Sequence, residues 1–185
     1  MDELFADARD RMTKAVDALK REFAKIRTGK ATVSLLDGIK VEYYGSSAPI
    51  RQVANISVPE ARLLVVQPWD RKIIGEIEKA IRSADLGLNP SSDGNLIRVP
   101  IPALTEERRK EMVRYVHKLA EEGRVAIRNV RRDVNESLKQ MHKDGKISED
   151  AFHRARDKTV QELTDEHIHE MDHVLAAKEQ ELMEV

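Results

Sequence analysis

The chain has 185 residues, with 32 Lys and Arg against 33 Asp and Glu, 41% hydrophobic residues and only 4% aromatic ones. That length holds one medium domain or two small ones, and 35% charged residues suit long solvated helices better than a compact α/β enzyme. The absence of cysteine excludes disulfides, a thiol nucleophile and Cys-ligated zinc, no apolar run reaches membrane-spanning or signal-peptide length, and a net charge of −1 confines any nucleic-acid binding to a local patch.

From the N-terminus, Phe5, Ala8, Met12, Ala15, Leu19, Phe23 and Ile26 recur every three or four residues, which places one apolar stripe on a helix face. Arg27-Thr28-Gly29 is the predicted stop, since glycine accepts the backbone conformation that ends helices. All six prolines then fall between residues 49 and 102 with the only tryptophan, and two of the three tyrosines, Tyr43 and Tyr44, lie just ahead of them. Proline removes a backbone donor, so this middle segment cannot be a long helix whereas the flanks can. Ile39–Tyr43 alternates as a half-buried strand, as do residues near 53–58 and 96–101, and Leu63-Leu64-Val65-Val66 reads as a more buried one. Asp70 precedes a short helix with Ile73, Ile74, Ile77 and Ile81 on one side, ending near Gly87, and Asn89–Gly94 is a predicted loop.

Helical spacing resumes after Leu104. Thr105 is placed to cap, and Glu106 and Glu107 follow in the first turn, where the helix dipole favours negative charge. Met112, Val116, Leu119, Gly123, Ile127, Val130, Val134, Leu138 and Met141 carry the stripe to a stop at Asp144-Gly145-Lys146. Ser148 opens a last helix marked by Phe152, Val160, Leu163, Met171 and Val174. Three amphipathic helices each need a partner, and the simplest closed arrangement is an antiparallel three-helix bundle of residues 1–29 and 105–185. The predicted fold class is α+β, with residues 30–104 inserted as a small β-rich domain holding one short helix. Two crossings, at Gly29-Lys30 and Pro100-Ile101-Pro102, join the lobes of an elbow-shaped molecule, glycine permitting bending and the prolines limiting it.

Charge is sorted by helix. Residues 105–146 hold 12 Lys and Arg against 8 Asp and Glu, whereas residues 147–185 hold 4 against 11. On an ideal wheel with Ile127 at zero, Arg131, Arg124, Lys110, Arg128, Lys139, Arg114, Arg132 and Lys143 occupy an arc of about 40° to 160°, beside an apolar stripe near −20°. One account is a solvated face that pairs with the acidic third helix. The other is a nucleic-acid contact, because guanidinium groups make bidentate phosphate contacts and a row of them matches a polyanionic backbone.

Catalytic patterns are sparse. His169-Glu170-Met171-Asp172-His173 satisfies H-E-x-x-H, which on a helix puts two imidazoles on one face beside a general base. It lies close to the C-terminus on an acidic helix without the H-x-x-G-x-x-H continuation, so with His167 it reads as a charged exterior or a surface metal site. Thr28-Gly29-Lys30-Ala31-Thr32 lacks the earlier glycine of a phosphate-binding loop, and no G-x-S-x-G elbow exists. Tyr43, Tyr44 and Trp69 have faces on which bases could stack, but their strand and strand-end positions favour core filling. No catalytic residue, metal site or cofactor is assigned. A metal-dependent hydrolase and a plain helical interaction module are the competing classes.

Several motifs in order over the whole length carry a resemblance. They are Arg27-Thr28-Gly29, Asp37–Gly45, Asp85-Leu86-Gly87-Leu88-Asn89-Pro90, Ile97-Arg98-Val99-Pro100, Leu104–Arg109, Gly123–Asp133 and Leu163-Thr164-Asp165. The chain resembles the ribosome recycling factors, departing at Val33, where the family often has proline, and at Ala84, where it often has serine. The resemblance implies a three-helix bundle with an inserted β/α/β domain in an L shape outlining a transfer RNA. It implies a cytoplasmic, non-enzymatic, monomeric factor of protein biosynthesis that binds between ribosomal subunits after termination. The bundle would lie on large-subunit ribosomal RNA, and elongation factor G with GTP would drive the subunits apart. Arg109, Arg128 and Arg131 are the RNA contacts implied, joined by Lys110, Arg114, Arg124 and Arg132 from the wheel. The hinge implied comprises Arg27, Thr28, Gly29 and Lys30 on one crossing and residues 100–105, with Pro100 and Pro102, on the other.

Overall fold

The computed structural model describes residues 1–184. In chain order they form α1 (Asp2–Ala24), β1 (Lys40–Tyr43), β2 (Ser46–Pro49), α2 (Ile50–Val53), β3 (Ala54–Glu60), β4 (Leu63–Pro68), α3 (Ile74–Ser83), β5 (Ser91–Ser92), β6 (Ile97–Pro100), α4 (Glu106–Lys143), α5 (Glu149–Arg154) and α6 (Gln161–Met183). Short 3₁₀ turns occupy Val33–Leu36 and Arg71–Ile73, and one π-helical segment, Ala155–Val160, links α5 to α6. The chain divides into two compact units, Met1–Arg27 with the chain from Glu106 onward, and Thr28–Thr105.

The first unit packs α1, α4 and the α5–α6 stretch on a shared apolar core. Met12, Val16, Ile127, Leu138, Val160 and Met171 are all buried there, as the three- and four-residue spacing requires. Interhelical pairs fix the directions. Arg9–Glu166, Thr13–His167 and Lys20–Glu170 rise together, so α1 and α6 run parallel. His117–Glu179, Arg124–Asp172 and Arg131–Gln161 run in opposite order, so α4 is antiparallel to α6. At 1.5 Å per residue, the 38 residues of α4 extend about 57 Å. Its end is a Schellman turn, with Gly145 at φ +73° and bonds from Lys146 N to Met141 O and from Gly145 N to His142 O. Ser148 then caps α5, its hydroxyl accepting from Ala151 N at 3.2 Å.

Where α4 passes α6, the chain has Gly123. A Cβ there would lie 2.6 Å from Met171 Sδ and 2.8 Å from Met171 Cε, so a hydrogen at this position is what lets the buried thioether seat. The first helix ends earlier than its sequence suggests. It stops at Ala24, and Ile26 N turns back to Phe23 O. Gly29 serves a different purpose three residues after Ile26. It takes φ +78° within the second unit, where an added Cβ would be 3.4 Å from Leu104 N.

The second unit contains a four-stranded antiparallel sheet in the order β3-β4-β6-β5 and a separate β1–β2 hairpin. Alternation places Leu64 and Val66 of β4 and Ile97 and Val99 of β6 inside, against Ile77 and Ile81 of α3, Val41 and Ile50. Asp70 caps the turn into α3 by accepting from Lys72 N. Two strands carry no sequence signal. β2 is short and polar, and β5 occupies part of the predicted loop at Asn89–Gly94; both form because β1 and β6 present open edges. Pro100 lies inside the sheet opposite Leu63, and Ile101 N donates to Arg62 O just beyond. The aromatic residues depart most from expectation. Tyr43 is 36% exposed, Tyr44 69% and Trp69 70%. The inward alternation of Ile39 and Val41 runs out at the hairpin tip, where Tyr44 enters the left-handed region at φ +47°.

Candidate nucleic-acid interface

The arginines of α4 divide by their angle from the apolar stripe. Arg131 and Arg124, at about 40° and 60° on the wheel, border the stripe and meet α6. Arg124 donates to Asp172 Oδ1 from Nε at 2.9 Å and from Nη2 at 2.6 Å, and Nη1 donates to Glu121 at 3.1 Å. Only 20% of its side chain is exposed, and the Asp172 bond holds its pKa above the usual guanidinium value. Arg131 is half-buried, its Nη1 3.4 Å from Gln161 Oε1. Arg128, Arg114 and Arg132, at about 100° to 140°, point past the neighbouring helix. Arg128 is 50% exposed and donates to Glu121 at 2.9 Å, which with Arg124 lowers the Glu121 pKa. Arg132 is more open than Arg128, its side chain 71% exposed, with Asp133 4.0 Å away. Arg114, Lys139 and Lys143 are exposed as well.

Nearer the start of α4, Arg109, Lys110 and Arg114 line a cleft of about 540 Å³ with Glu106, Val113, Glu179 and Met183. Lys110 pairs with Glu106 at 3.0 Å. Arg109 is half-buried, and its Nε is covered with no hydrogen-bond partner among the described residues. The row is therefore two kinds of group. Arg124 and Arg131 fasten α4 to α6, while Arg114, Arg128 and Arg132 present guanidinium faces to solvent, a geometry that suits phosphates. The crossing residues fall as follows: the chain passes between the units at Arg27–Thr28 and at Thr105–Glu106, with Thr28, Gly29, Lys30, Pro100 and Pro102 inside the second unit.

The H-E-x-x-H helix does not assemble as a hydrolase centre. Glu170 accepts from Lys20 Nζ at 2.9 Å, which lowers its pKa and ties it to α1. His167 is buried. Its Nδ1 lies 2.7 Å from the Leu163 carbonyl, which can only accept, so Nδ1 carries the proton and Nε2 faces the Thr13 hydroxyl at 3.2 Å. His169 and His173 stand outside with their Nε2 atoms 3.1 Å apart. Among the described residues no group of three or more metal donors occurs, and no helix is long and apolar enough to cross a membrane.

A family model for ribosome recycling factor matches residues 19–183. The ribosome-recycling factor of Pelotomaculum thermopropionicum is 57% identical over 183 residues, covering 99% of this chain and 98% of the relative. That of Bacillus subtilis is 55% identical over the same length, with the same coverage. A solution structure of the ribosome recycling factor superposes with a TM-score of 0.75 at 48% identity, covering 100% of this chain and 97% of that one. A second match, at TM-score 0.63 and 48% identity over 99% and 98% of the two chains, comes from models of the T. thermophilus ribosome recycling factor and the E. coli elongation factor G bound to the E. coli post-termination complex. The chain belongs to the ribosome recycling factor family. This is a family of non-catalytic translation factors.

Proposed function

We propose that this chain works in the cytoplasm as a monomeric factor that separates post-termination ribosomes into subunits, together with elongation factor G and GTP. GTP hydrolysis is the partner's reaction. The chain's own contribution is grip and transmission. Arg114, Arg128 and Arg132 hold large-subunit ribosomal RNA by phosphate contacts, with Arg109 and Lys110 beside them at the cleft, while Arg124 and Arg131 keep the helix that carries the row in place. The observation that carries this reading is the open end of the row, Arg128 and Arg132, one turn apart on a helix locked to its neighbours by burial and ion pairs. A rigid element held at its phosphate contacts can transmit force. The inserted domain receives that force, and Arg27–Lys30 with Pro100–Pro102 form the joint. Gly29, at φ +78° against Leu104, gives that joint a position no other residue adopts without strain.

Light scattering of purified post-termination ribosomes tests the reading. Scattering falls when this chain, elongation factor G and GTP are all present, and holds when any one is omitted or a non-hydrolysable GTP analogue is substituted. Unchanged scattering with all three present would overturn it.

A further inference from the structure

The β-rich unit presents a second surface, made of residues whose strand positions favoured a core. Trp69 and Tyr44 lie mostly in solvent, and Tyr43 packs edge-on against Tyr44 with ring centroids 4.7 Å apart. Leaving such large rings in water forgoes much of the burial that aromatic side chains normally contribute. The tyrosine rings are nevertheless held in position. The Tyr44 hydroxyl donates to the Asp70 carboxylate, which also accepts from Lys72 N at 2.9 Å. This ties the tip of the β1–β2 hairpin to the residue next to Trp69, and it occupies the one carboxylate of the Trp69–Lys72 turn. Arg71 and Lys72 follow at once. Both are exposed, and neither forms a close ion pair among the described residues, although the Lys72 charge helps to hold the Asp70 carboxyl below its usual range. Elsewhere in the same unit, Arg51, Arg82 and Arg98 are each paired, with Asp37, Glu78 and Asp93.

We propose that this surface binds unpaired RNA, with Trp69 and Tyr44 stacking on bases while Arg71 and Lys72 meet the flanking phosphates. Exposed rings alone would suit many partners. Rings beside two exposed cations suit a ligand that offers a flat apolar face and a negative charge at every repeat, which single-stranded nucleic acid does. The inference rests on no residue of the helical bundle, and it gives the inserted unit an RNA contact of its own.

Trp69 is the only tryptophan in the chain, so its fluorescence reports this surface alone. The full-length protein is titrated with a short oligoadenylate at low and high salt. Saturable quenching that weakens with salt is expected, and inorganic polyphosphate, an anion without bases, leaves the emission unchanged. Tyr44→Asn removes the ring while keeping a residue that tolerates φ +47°. This change, and separately Arg71→Glu with Lys72→Glu, weakens the oligoadenylate response about tenfold. Reversing Arg128 and Arg132 to Glu leaves the quenching in place while reducing binding to large ribosomal subunits, so failure here and failure of the bundle interface are told apart. Absence of quenching, equal quenching by polyphosphate, or indifference to Tyr44→Asn overturns the proposal. So does a Trp69 response to purified elongation factor G but not to oligoadenylate, which would assign the surface to a protein.

Discussion

The helical bundle and the β-rich unit place their conspicuous side chains in opposite ways. The bundle is rich in cations, yet several are taken up by its own acidic helix: Arg124 by Asp172, Lys20 by Glu170 and Arg9 by Glu166. The β-rich unit fills its interior with branched aliphatics and leaves its rings outside. Residue type alone therefore misleads in both. What decides a side chain's role is whether a neighbouring element passes over its position. Arg124 and Arg128 differ by one turn on α4, yet one is a fastener and the other is half in solvent.

Adjacent substitutions sharpen the contrast most. Ile127 is fully buried, so Ile127→Ala should cost about 2–5 kcal/mol in urea unfolding. Arg128→Gln, one residue on, should stay within about 0.5 kcal/mol. Similar losses for the two would erase the distinction between inner and outer faces of α4. Gly123→Val comes next in size, since its side chain collides with Met171. The expected loss is about 1–3 kcal/mol by the same measurement, with a smaller loss when Met171→Ala opens the space.

Arg124→Gln should cost about 1 kcal/mol, because it leaves Asp172 without its bidentate donor at a partly covered site. A double-mutant cycle with Asp172→Asn checks this, and additive losses would show that the two groups do not act together. The smallest effect lies in the β-rich unit. Asp93 accepts from Asn95 N, the Arg98 guanidinium and Leu96 N, and these bonds push its pKa down to about 2. Because the folded value is the lower one, its contribution is present above the ordinary carboxylate range and fades as pH falls toward about 2. Asp93→Asn should therefore flatten the acid limb of stability against pH, and an unchanged limb would rule this contribution out.

The long helices were legible because their apolar spacing repeats over 23 and 38 residues, long enough for local exceptions to average out. The short strands β2 and β5 were not, since a few serines with no alternation become strands only through an open neighbouring edge. Period-two reasoning carried Tyr43 inward with Ile39 and Val41, but a pattern cannot reveal that the covered face ends at the hairpin tip. The helical wheel located the arginine row. It held the further information that Arg131 and Arg124 sit nearest the apolar stripe, where a neighbouring helix would reach them, although azimuth alone does not name Asp172 or Gln161 as partners. H-E-x-x-H matched as a string, and it fails as a site because Glu170 is held by Lys20 from another helix, an interaction no local motif encodes.

The proposed grip on RNA is tested most directly by the salt dependence of large-subunit binding. Affinity of the intact protein and of the Arg128→Glu, Arg132→Glu double variant is measured by co-sedimentation across a salt series. Every phosphate that is no longer neutralised should make the slope of log affinity against log salt shallower by about one, so the variant should bind more weakly with a slope reduced by about two. Equal affinity and equal slope for the two proteins would contradict the account.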